Sequence, residues 1–258
     1  MMLLFERSFD MKYRRSPSFI TTSGPGDIIS SPSRLTATIV APKGLTLWCE
    51  QKMEGNVVVE YEARIMADKR FKDEQGRVRV SDLNCFWMAD QCGGYGGKFI
   101  ENYALKTYYV GYGGNWNTTT RFRRYTGDQR GIDSVAYRPI ILKEYTDKAH
   151  LLDENRWYKI RLEQVDGQAR YYIDGELLVD YVDPKPLREG YFGFRTTMAV
   201  AQLRNFRYTR EGKDQPVVLK WIGGKGHGWT TFGVSFDQGE VTTDDFKLQI
   251  GDHQYCSY

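Results

Sequence analysis

From Leu35 onward the chain is a succession of short segments rich in Val, Ile, Thr, Tyr and Phe, most of them separated by Gly, Pro, Asp or Asn. Several alternate apolar and polar residues, among them LTATIVA, NVVVEYEARIM and WYKIRLEQV. A period of two is typical of strands that bury one face, and frequent turn residues favour antiparallel neighbours. At 258 residues the chain is long enough for one large β domain. We therefore predict an all-β fold, an antiparallel two-sheet sandwich.

Two Asp-Gly steps predict the connections in one part of this sandwich. Asp166-Gly167 and Asp174-Gly175 stand at hairpin spacing, and strand-forming residues flank both. Asp-Gly is a preferred pair for the two-residue turns that join antiparallel strands. We therefore expect two tight turns and a meander of three strands. Only TDKAHLLDENRW indicates helix, and it is short enough for a single turn.

The net charge and the hydropathy pattern limit the classes of binding partner and the cellular location that we expect. The formal net charge is only +3 and no run of five Lys or Arg residues occurs, so we expect no nucleic-acid partner. No apolar run approaches the ~20 residues that span a bilayer, so we expect no membrane partner. The apolar stretch before Glu6 is too short for a secretory signal. This predicts a cytoplasmic protein, or an exported one if a leader precedes this sequence.

The cysteines do not form a metal or redox motif. Cys49, Cys85, Cys92 and Cys256 contain no C-x-x-C pair, and they stand in strand-like or terminal segments. Buried free thiols are the simplest interpretation. A bridge between Cys85 and Cys92 is the alternative in an exported protein.

The stretch TYYVGYGGNWNTTTRFRRY, residues 107–125, combines aromatic rings with glycines, asparagines and arginines. Aromatic faces stack on sugar rings, and amide and guanidinium groups donate hydrogen bonds in fixed geometry. The combination indicates a site for a sugar that carries a carboxylate. The alternative is a glycine-rich connection between two strands whose aromatics pack inward and whose arginines are solvated.

Two further patterns extend this candidate site. Asp82 and Asn84 alternate along a predicted strand and share a face with Phe86, while Trp87 faces the other way. A turn cap or a buried salt bridge to an arginine is an equally ordinary role for Asp82. Arg121 and Arg123 share a face, with Arg124 on the other, so the pair can hold a carboxylate in bidentate fashion.

The run WYKIRLEQVDGQARYYIDGELLVDYVDPKPLREGYFGFRTT resembles the C-terminal half of concanavalin-like and laminin-G-like jelly rolls. With segments 79–90, 111–128 and 142–152, the chain resembles a bacterial YesU-like domain of uncharacterised function over about 35–210. Such domains are found beside pectin-degrading enzymes. The resemblance implies a concanavalin-like jelly-roll sandwich and a saccharide partner. Calcium is plausible on family grounds, but no dense Asp/Asn loop is visible, so we predict no cofactor.

The tail after Gln215 resembles the opening strands of the N-terminal barrel of YetA-like exo-rhamnogalacturonan lyases. The predicted domains are an irregular segment with edge strands at 1–34, the sandwich at 35–212, and a partial β domain or the start of a downstream barrel at 213–258. A short hairpin that packs back on the sandwich is the alternative for the tail.

Together these features predict a carbohydrate-binding or accessory module for an acidic polysaccharide of the rhamnogalacturonan or pectin type. Segments 79–90, 107–128 and 190–197 are expected to form its groove. The alternative is a catalytic polysaccharide lyase or glycosidase, and a third is a scaffold for a downstream catalytic domain. The predicted binding residues are Asp82, Asn84, Trp87, Tyr112, Asn115, Trp116, Asn117 and Arg195, and the predicted catalytic residues, which apply only to an enzyme, are Arg121, Arg123 and Tyr125.

Overall fold

The structure is a computed structural model that describes residues 19–21, 37–41, 45–49, 52–92, 99–127, 138–214, 220–221 and 249–250. The strands of its first half are Phe19–Thr21 (β1), Ala37–Ala41 (β2), Leu45–Cys49 (β3), Met53–Glu54 (β4), Val57–Met66 (β5), Leu83–Ala89 (β6), Lys106–Gly113 (β7) and Thr119–Thr126 (β8). Those of its second half are Ile141–Tyr145 (β9), Tyr158–Val165 (β10), Gln168–Ile173 (β11), Glu176–Val182 (β12), Glu189–Thr196 (β13), Ala199–Arg210 (β14), Lys213–Asp214 (β15), Lys220–Trp221 (β16) and Gln249–Ile250 (β17). Within the described ranges, helical structure is limited to 3-10 turns at Phe99–Ala104 and Lys148–His150 and a short turn at Gly114–Asn117.

The strands form the predicted two-sheet antiparallel sandwich. Sheet I has the order β1-β3-β13-β6-β7-β8-β9, with β4 beside β13. Sheet II has the order β12-β11-β10-β5-β14-β15, with β2 beside β14. The two-residue strands β16 and β17 pair with each other in parallel. Most of the predicted partial domain at 213–258 lies outside the described residues.

The core lies between the two sheets, and strands of sheet II turn alternate residues toward it. Strand β5 shows this most clearly, since every second residue from Val57 to Ile65 is buried. Tyr61, on this strand, packs its ring against Phe192, Phe194 and Phe206, with ring centres 5.6 to 6.3 Å apart. Interlocked aromatic rings of this kind fix the spacing and register of the two sheets.

The two Asp-Gly steps form the predicted turns of a meander. Strand β10 pairs with β11, and β11 with β12, all antiparallel. Asp166 and Asp174 both have a φ of 50°, and the glycines that follow have φ of 83° and 89°. Positive φ at both central residues is the geometry that suits hairpin turns between right-twisted strands. The prediction from these two dipeptides is confirmed.

The outer face of sheet I, the face turned away from sheet II, carries a second apolar layer that the sequence did not predict. Trp48, Phe86, Tyr109 and Tyr125 form an aromatic group there, which we call the outer cluster. The 3-10 turn Phe99–Ala104 lies against this group, with Phe99 packing on Tyr109 at 5.5 Å between ring centres. Sheet I is therefore buried on both sides over part of its length.

The outer face of sheet II is polar and internally paired. Glu60 accepts ion pairs from Arg161 at 2.9 Å and from Arg207 at 2.6 Å. Glu163 likewise binds Arg161 and Arg170. A groove of about 560 Å³ crosses these side chains. Because its carboxylates are already neutralised by arginines, this face is a solvated surface with little left to bind a ligand.

The described cysteines are all free thiols, and their positions correct the alternative disulfide. Cys49 and Cys85 lie in the core between the sheets, whereas Cys92 packs on the outer cluster. Cys85 and Cys92 are thus on opposite faces of sheet I and are not bridged. Cys256 lies outside the described residues. In the part of the chain that is described, no helix is long and apolar enough to cross a membrane.

Candidate functional site

The three segments predicted to form a groove lie side by side in sheet I, because β13, β6, β7 and β8 are consecutive neighbours. Backbone register places Arg195 opposite Asn84, Asn84 opposite Gly111, and Gly111 opposite Arg121. Glu144 of β9 continues this row beyond Arg121. Side chains directly opposite each other in antiparallel strands share a face, so the row crosses the outer face of the sheet.

Asp82 is buried beside this row, two residues before Asn84, and both of its carboxylate oxygens accept hydrogen bonds. Its Oδ1 accepts a hydrogen bond from Arg79 Nη2 at 2.7 Å and another from the hydroxyl of Ser81, and its Oδ2 accepts from Asn84 Nδ2 at 2.9 Å. The buried salt bridge to an arginine, one of the two ordinary roles considered for Asp82, is therefore what the structure shows. Asp82 orients its neighbours and is not a free carboxylate.

Asn84 has one polar atom without a partner. The side chain is 3% exposed, and its Oδ1 accepts no hydrogen bond in the part of the chain that is described. Its amide nitrogen is fixed by Asp82, so the oxygen cannot be turned toward another donor without breaking that bond. A buried acceptor left without a donor costs about 1–3 kcal/mol. Stability alone does not account for this arrangement.

Tyr109 also lies at this site and is not among the residues predicted from the sequence. A Cβ on Gly111 would stand 2.7 Å from the Tyr109 hydroxyl, so the phenol lies over the glycine, within the row. Burial raises the pKa of Tyr109 well above its usual range, and Asp82 adds to this, while Arg123 and Arg195 act in the opposite direction. Gly111, two residues further along β7 on the same face, leaves room for the Tyr109 ring. This spacing is the sequence signal that could have identified Tyr109.

The two arginines of β8 face outward as predicted, but they are held differently. Arg121 Nε donates to Glu144 Oε1 at 2.5 Å across the β8–β9 pair. Arg123 Nη1 donates to the carbonyl oxygen of Pro139 at 2.6 Å and has no carboxylate partner among the described residues. Arg124 faces the other way and donates to Asp183 Oδ2 at 2.8 Å. Arg123 is thus the better placed of the outward pair to attract an anion.

The β7–β8 connection presents Trp116 to solvent in a left-handed turn. Gly113, Asn115, Trp116 and Asn117 have φ of 67°, 52°, 59° and 59°. Glycine adopts this region freely, whereas each larger residue there costs about 1–3 kcal/mol. Trp116 is nevertheless 44% exposed. Such strain persists only where the surrounding structure holds it, and it clusters at functional sites.

The surrounding structure does hold this turn. Asn117 Nδ2 donates to Leu152 O at 2.7 Å, and Leu152 N donates back to Asn117 Oδ1 at 2.8 Å. Thr120 Oγ1 donates to His150 O at 2.6 Å. The connection between β9 and β10 therefore braces the turn. Asn117, predicted to bind ligand, acts as this brace, and Asn115 Nδ2 contacts Thr119 Oγ1 at 3.4 Å.

Arg79 joins the Trp116 turn to the turn between β13 and β14. Its guanidinium carbon lies 4.5 Å from the centre of the Trp116 ring. Its Nε donates to Thr197 O at 3.1 Å. The next residue, Met198, has a φ of 46° and is 37% exposed. Three connections thus converge at this end of sheet I.

Three predicted site residues lie elsewhere, and their placement corrects the sequence analysis. Trp87 and Tyr112 are both 2% exposed and belong to the core between the sheets, where Tyr112 packs edge-on against Tyr158 at 5.2 Å. Tyr125 is fully buried in the outer cluster, and burial raises its pKa well above the usual range. Their strand positions turn these rings toward apolar neighbours, so they serve packing.

No described group of three His, Cys, Asp or Glu side chains is placed to hold a metal ion. What the site offers is an exposed indole, buried polar donors and acceptors, and outward guanidinium groups. Exposed aromatic rings beside fixed hydrogen-bonding groups are typical of sites for polar ligands with an apolar face. The arrangement can bind such a ligand through stacking and hydrogen bonds alone.

The fold and this site define an antiparallel β-sandwich of the jelly-roll class with one polar, aromatic-bearing end. The chain belongs to the family described as DUF6250, a domain of unknown function, which matches residues 39–206. No curated protein matches the sequence.

Two solved structures from Bacillus subtilis share the fold. The carbohydrate-binding module CBM66 has 13% sequence identity and a TM-score of 0.51, over 78% of this chain and 99% of that one. A protein of unknown function with a galectin-like fold has 15% identity and a TM-score of 0.50, over 76% and 97%. At these identities the likeness concerns the fold, and it confirms the jelly-roll prediction.

Proposed function

We propose that this domain binds carbohydrate, and the observation that carries the proposal is the presentation of Trp116. The indole is 44% exposed, stands in a strained turn, and has Arg79 against one face. An exposed ring held rigidly loses little conformational freedom when a sugar stacks on it. The name of the CBM66 module supports the same class of function.

The charges of the outer face support an acidic glycan. Arg123 has no carboxylate partner among the described residues, and Arg121 lies in the same stretch of strand, paired with Glu144. A guanidinium group binds a carboxylate through two parallel hydrogen bonds, which adds specificity to attraction. Affinity for a uronate-bearing chain should therefore fall as salt rises.

The glycan we propose is of the rhamnogalacturonan or pectin type. The support is the resemblance to YesU-like domains over residues 35–210 and to YetA-like lyases after Gln215. The same resemblance supports a downstream catalytic domain as the partner of this module. The module would then hold the polysaccharide near the enzyme that cleaves it.

The test is a titration of the purified chain with oligosaccharides of rhamnogalacturonan and polygalacturonate, followed by tryptophan fluorescence and calorimetry. A neutral galactan oligosaccharide of the same length is the control. We expect saturable binding of the acidic oligosaccharides that weakens between low and high salt. Binding of the neutral chain alone would contradict the acidic specificity, and no binding of any glycan would contradict the function.

The catalytic alternative is tested in the same incubation. A lyase would produce an unsaturated uronate, which absorbs in the ultraviolet, and a glycosidase would produce shorter chains visible by mass. The geometry favours binding, because Tyr125 is fully buried and Arg121 is paired with Glu144. An accumulating product that disappears in Arg123→Ala would establish catalysis instead.

A further inference from the structure

Three polar side chains on the outer face of sheet I keep hydrogen-bonding capacity that no described residue uses. Asn84 lies on β6, Tyr109 on β7 and Arg123 on β8. Backbone register places Arg123 directly opposite Tyr109. It also places Asn84 directly opposite Gly111, the residue over which the Tyr109 hydroxyl lies. Because directly opposite residues have Cβ atoms about 5 Å apart, the three side chains border one small area of the sheet.

The hydroxyl of Tyr109 makes no hydrogen bond with any residue that the structure describes, although the side chain is only 6% exposed. Its neighbour Tyr108, on the inner face, is also buried but donates to Asp183 Oδ2 at 2.8 Å. Burial raises the pKa of Tyr109 well above its usual range. The phenol therefore keeps its proton and can both donate and accept a hydrogen bond.

Asn84 Oδ1 is the second unused atom. Since it has no hydrogen-bond partner in the described part of the chain, it does not accept from the Tyr109 hydroxyl either. Two such groups that border one position without bonding each other leave room for a group that bridges them. A hydroxyl group can donate to the amide oxygen and accept from the phenol. A carboxylate cannot donate, and an ammonium group would be repelled by the guanidinium groups of Arg123 and Arg195, which both act on the Tyr109 hydroxyl.

Arg123 can bind a carboxylate beside that hydroxyl. Its Nη1 donates to Pro139 O at 2.6 Å, whereas its Nε and Nη2 donate to no residue within the described ranges. Nε and Nη2 lie on one side of the guanidinium group, where a carboxylate binds through two parallel hydrogen bonds. Because Arg123 and Tyr109 are cross-strand neighbours, a single sugar residue that carries a carboxylate and hydroxyls can contact both.

We propose that Tyr109 and Asn84 bind one hydroxyl of a uronic acid residue whose carboxylate is held by Arg123. The inference rests on the proposed binding of acidic glycans, and it names the groups of the sugar that the site selects. The bound hydroxyl accepts from the phenol and donates to Asn84 Oδ1. Since Asn84 is 3% exposed, this bond forms away from bulk water, where hydrogen bonds are stronger. A site of this kind rejects an analogue that lacks the hydroxyl.

The first test removes a single oxygen atom from the protein. Tyr109→Phe keeps the ring in the outer cluster, and calorimetry with an acidic oligosaccharide should show roughly three- to ten-fold weaker binding. The melting temperature should be equal to or above that of the unaltered protein, since no described hydrogen bond is lost. Tyr125→Phe is the matched control, because it removes a fully buried hydroxyl from the same cluster, and it should leave affinity unchanged. Unchanged affinity in Tyr109→Phe would overturn the subsite and leave carbohydrate binding standing.

The second test removes one hydroxyl from the ligand. Methyl α-D-galactosiduronate and the analogues that lack the hydroxyl on C2, C3 or C4 are compared by NMR titration. One analogue should bind the unaltered protein roughly three- to ten-fold more weakly than the parent sugar. Tyr109→Phe should abolish this difference, whereas Arg123→Ala should weaken all the ligands and keep it. Equal affinities of parent and analogues for the unaltered protein would overturn the subsite.

Asn84→Ala completes the comparison. This variant also loses the bond from Asn84 Nδ2 to Asp82. A purely structural effect would weaken the parent sugar and its analogues alike, whereas loss of the subsite should remove the difference between them. A retained difference in Asn84→Ala would therefore overturn the role of Asn84. No binding of any glycan by the unaltered protein would overturn the subsite and the proposed function together.

Discussion

The guanidinium carbon of Arg79 lies 4.5 Å from the centre of the Trp116 ring and covers one face of the indole. The same guanidinium donates to the buried carboxylate of Asp82 at 2.7 Å. A ligand can therefore stack on one face of Trp116 only. The exposed ring and the buried polar row are also linked through a single side chain.

Removing the indole should weaken glycan binding and leave the fold unchanged. We expect Trp116→Ala to cost about 1–3 kcal/mol of binding free energy, since exposed aromatic anchors carry much of the affinity of such sites. Calorimetry with the tightest-binding oligosaccharide measures this. Leu177→Ala is the control for loss of an exposed apolar side chain. An unchanged affinity in Trp116→Ala would place the ligand elsewhere.

Breaking the buried ion pair should destabilise the domain strongly. The side chains of Arg79 and Asp82 are 7% and 11% exposed. Removal of one partner from a buried pair leaves the other charged and unpaired, which costs about 3–5 kcal/mol. We expect this loss in Asp82→Ala, measured by urea unfolding. Glu189→Ala breaks the solvent-exposed pair with Lys52, and the side chains of Lys52 and Glu189 are 38% and 59% exposed. Its loss should therefore stay below about 1 kcal/mol. Similar losses in both variants would contradict the buried role.

Relieving the backbone strain at position 198 should stabilise the protein. Glycine adopts the left-handed region freely, so Met198→Gly, at a φ of 46°, should raise the free energy of unfolding by roughly 1 kcal/mol. Met198→Leu keeps the strain and should leave stability nearly unchanged. Thermal unfolding distinguishes them. A destabilised Met198→Gly would mean that the methionine is held by packing.

The glycine under Tyr109 should be intolerant of a methyl group. In Gly111→Ala the new Cβ would stand 2.7 Å from the Tyr109 hydroxyl, so the phenol must leave its place in the row. Because Tyr109 is buried in the outer cluster, we expect weaker glycan binding together with a loss of stability of about 1–3 kcal/mol. Gly76→Ala is a control, because no atom lies within 4 Å of a Cβ there, although its own positive φ adds some strain. Unaltered binding in Gly111→Ala would remove Tyr109 from the site.

Stability should decline above about pH 9. Burial raises the pKa of the Cys85 thiol from an ordinary 9.0 to about 12, and that of Tyr208 from 10.0 to about 12. Between these values the unfolded chain releases protons that the folded chain retains, so unfolding becomes more favourable as pH rises. Urea midpoints at pH 7.5, 9 and 10.5 measure the decline. Cys85→Ala should lose less stability over this pH range. An equally steep decline in the variant would mean that other groups cause it.

The sequence predicted the sheets well because strand signals are local. Alternation along 79–90 correctly separated Asn84 and Phe86 from Trp87, and the dipeptide at Asp174 correctly marked a turn. The alternation also placed Trp87 on the inner face, and assigning it to the ligand site went against that pattern. Tyr112 was misjudged for the same reason, since its parity along β7 is that of buried Val110.

The burial of Tyr125 and the role of Arg79 could not be predicted from the sequence, because both depend on contacts between distant segments. Tyr125 is buried because the turn Phe99–Ala104 lies over the sheet, and the glycine-rich residues before it gave no strand or helix signal. The role of Arg79 likewise depends on connections far apart in the chain, which meet only after the sheet has formed. Local periodicity carries no information about such long-range tertiary contacts.

The reciprocal hydrogen bonds between Asn117 and Leu152 have a consequence for protein engineering. They hold two chain segments, 35 residues apart in sequence, in a fixed position relative to each other. Grafting the tryptophan-bearing loop onto another sandwich would require transplanting both pieces together, and lengthening either one alone would uncouple them. Sequence libraries aimed at new ligand specificities should therefore vary position 116 and its immediate surroundings. Asn117 should be kept, so that both hydrogen bonds to the Leu152 backbone remain.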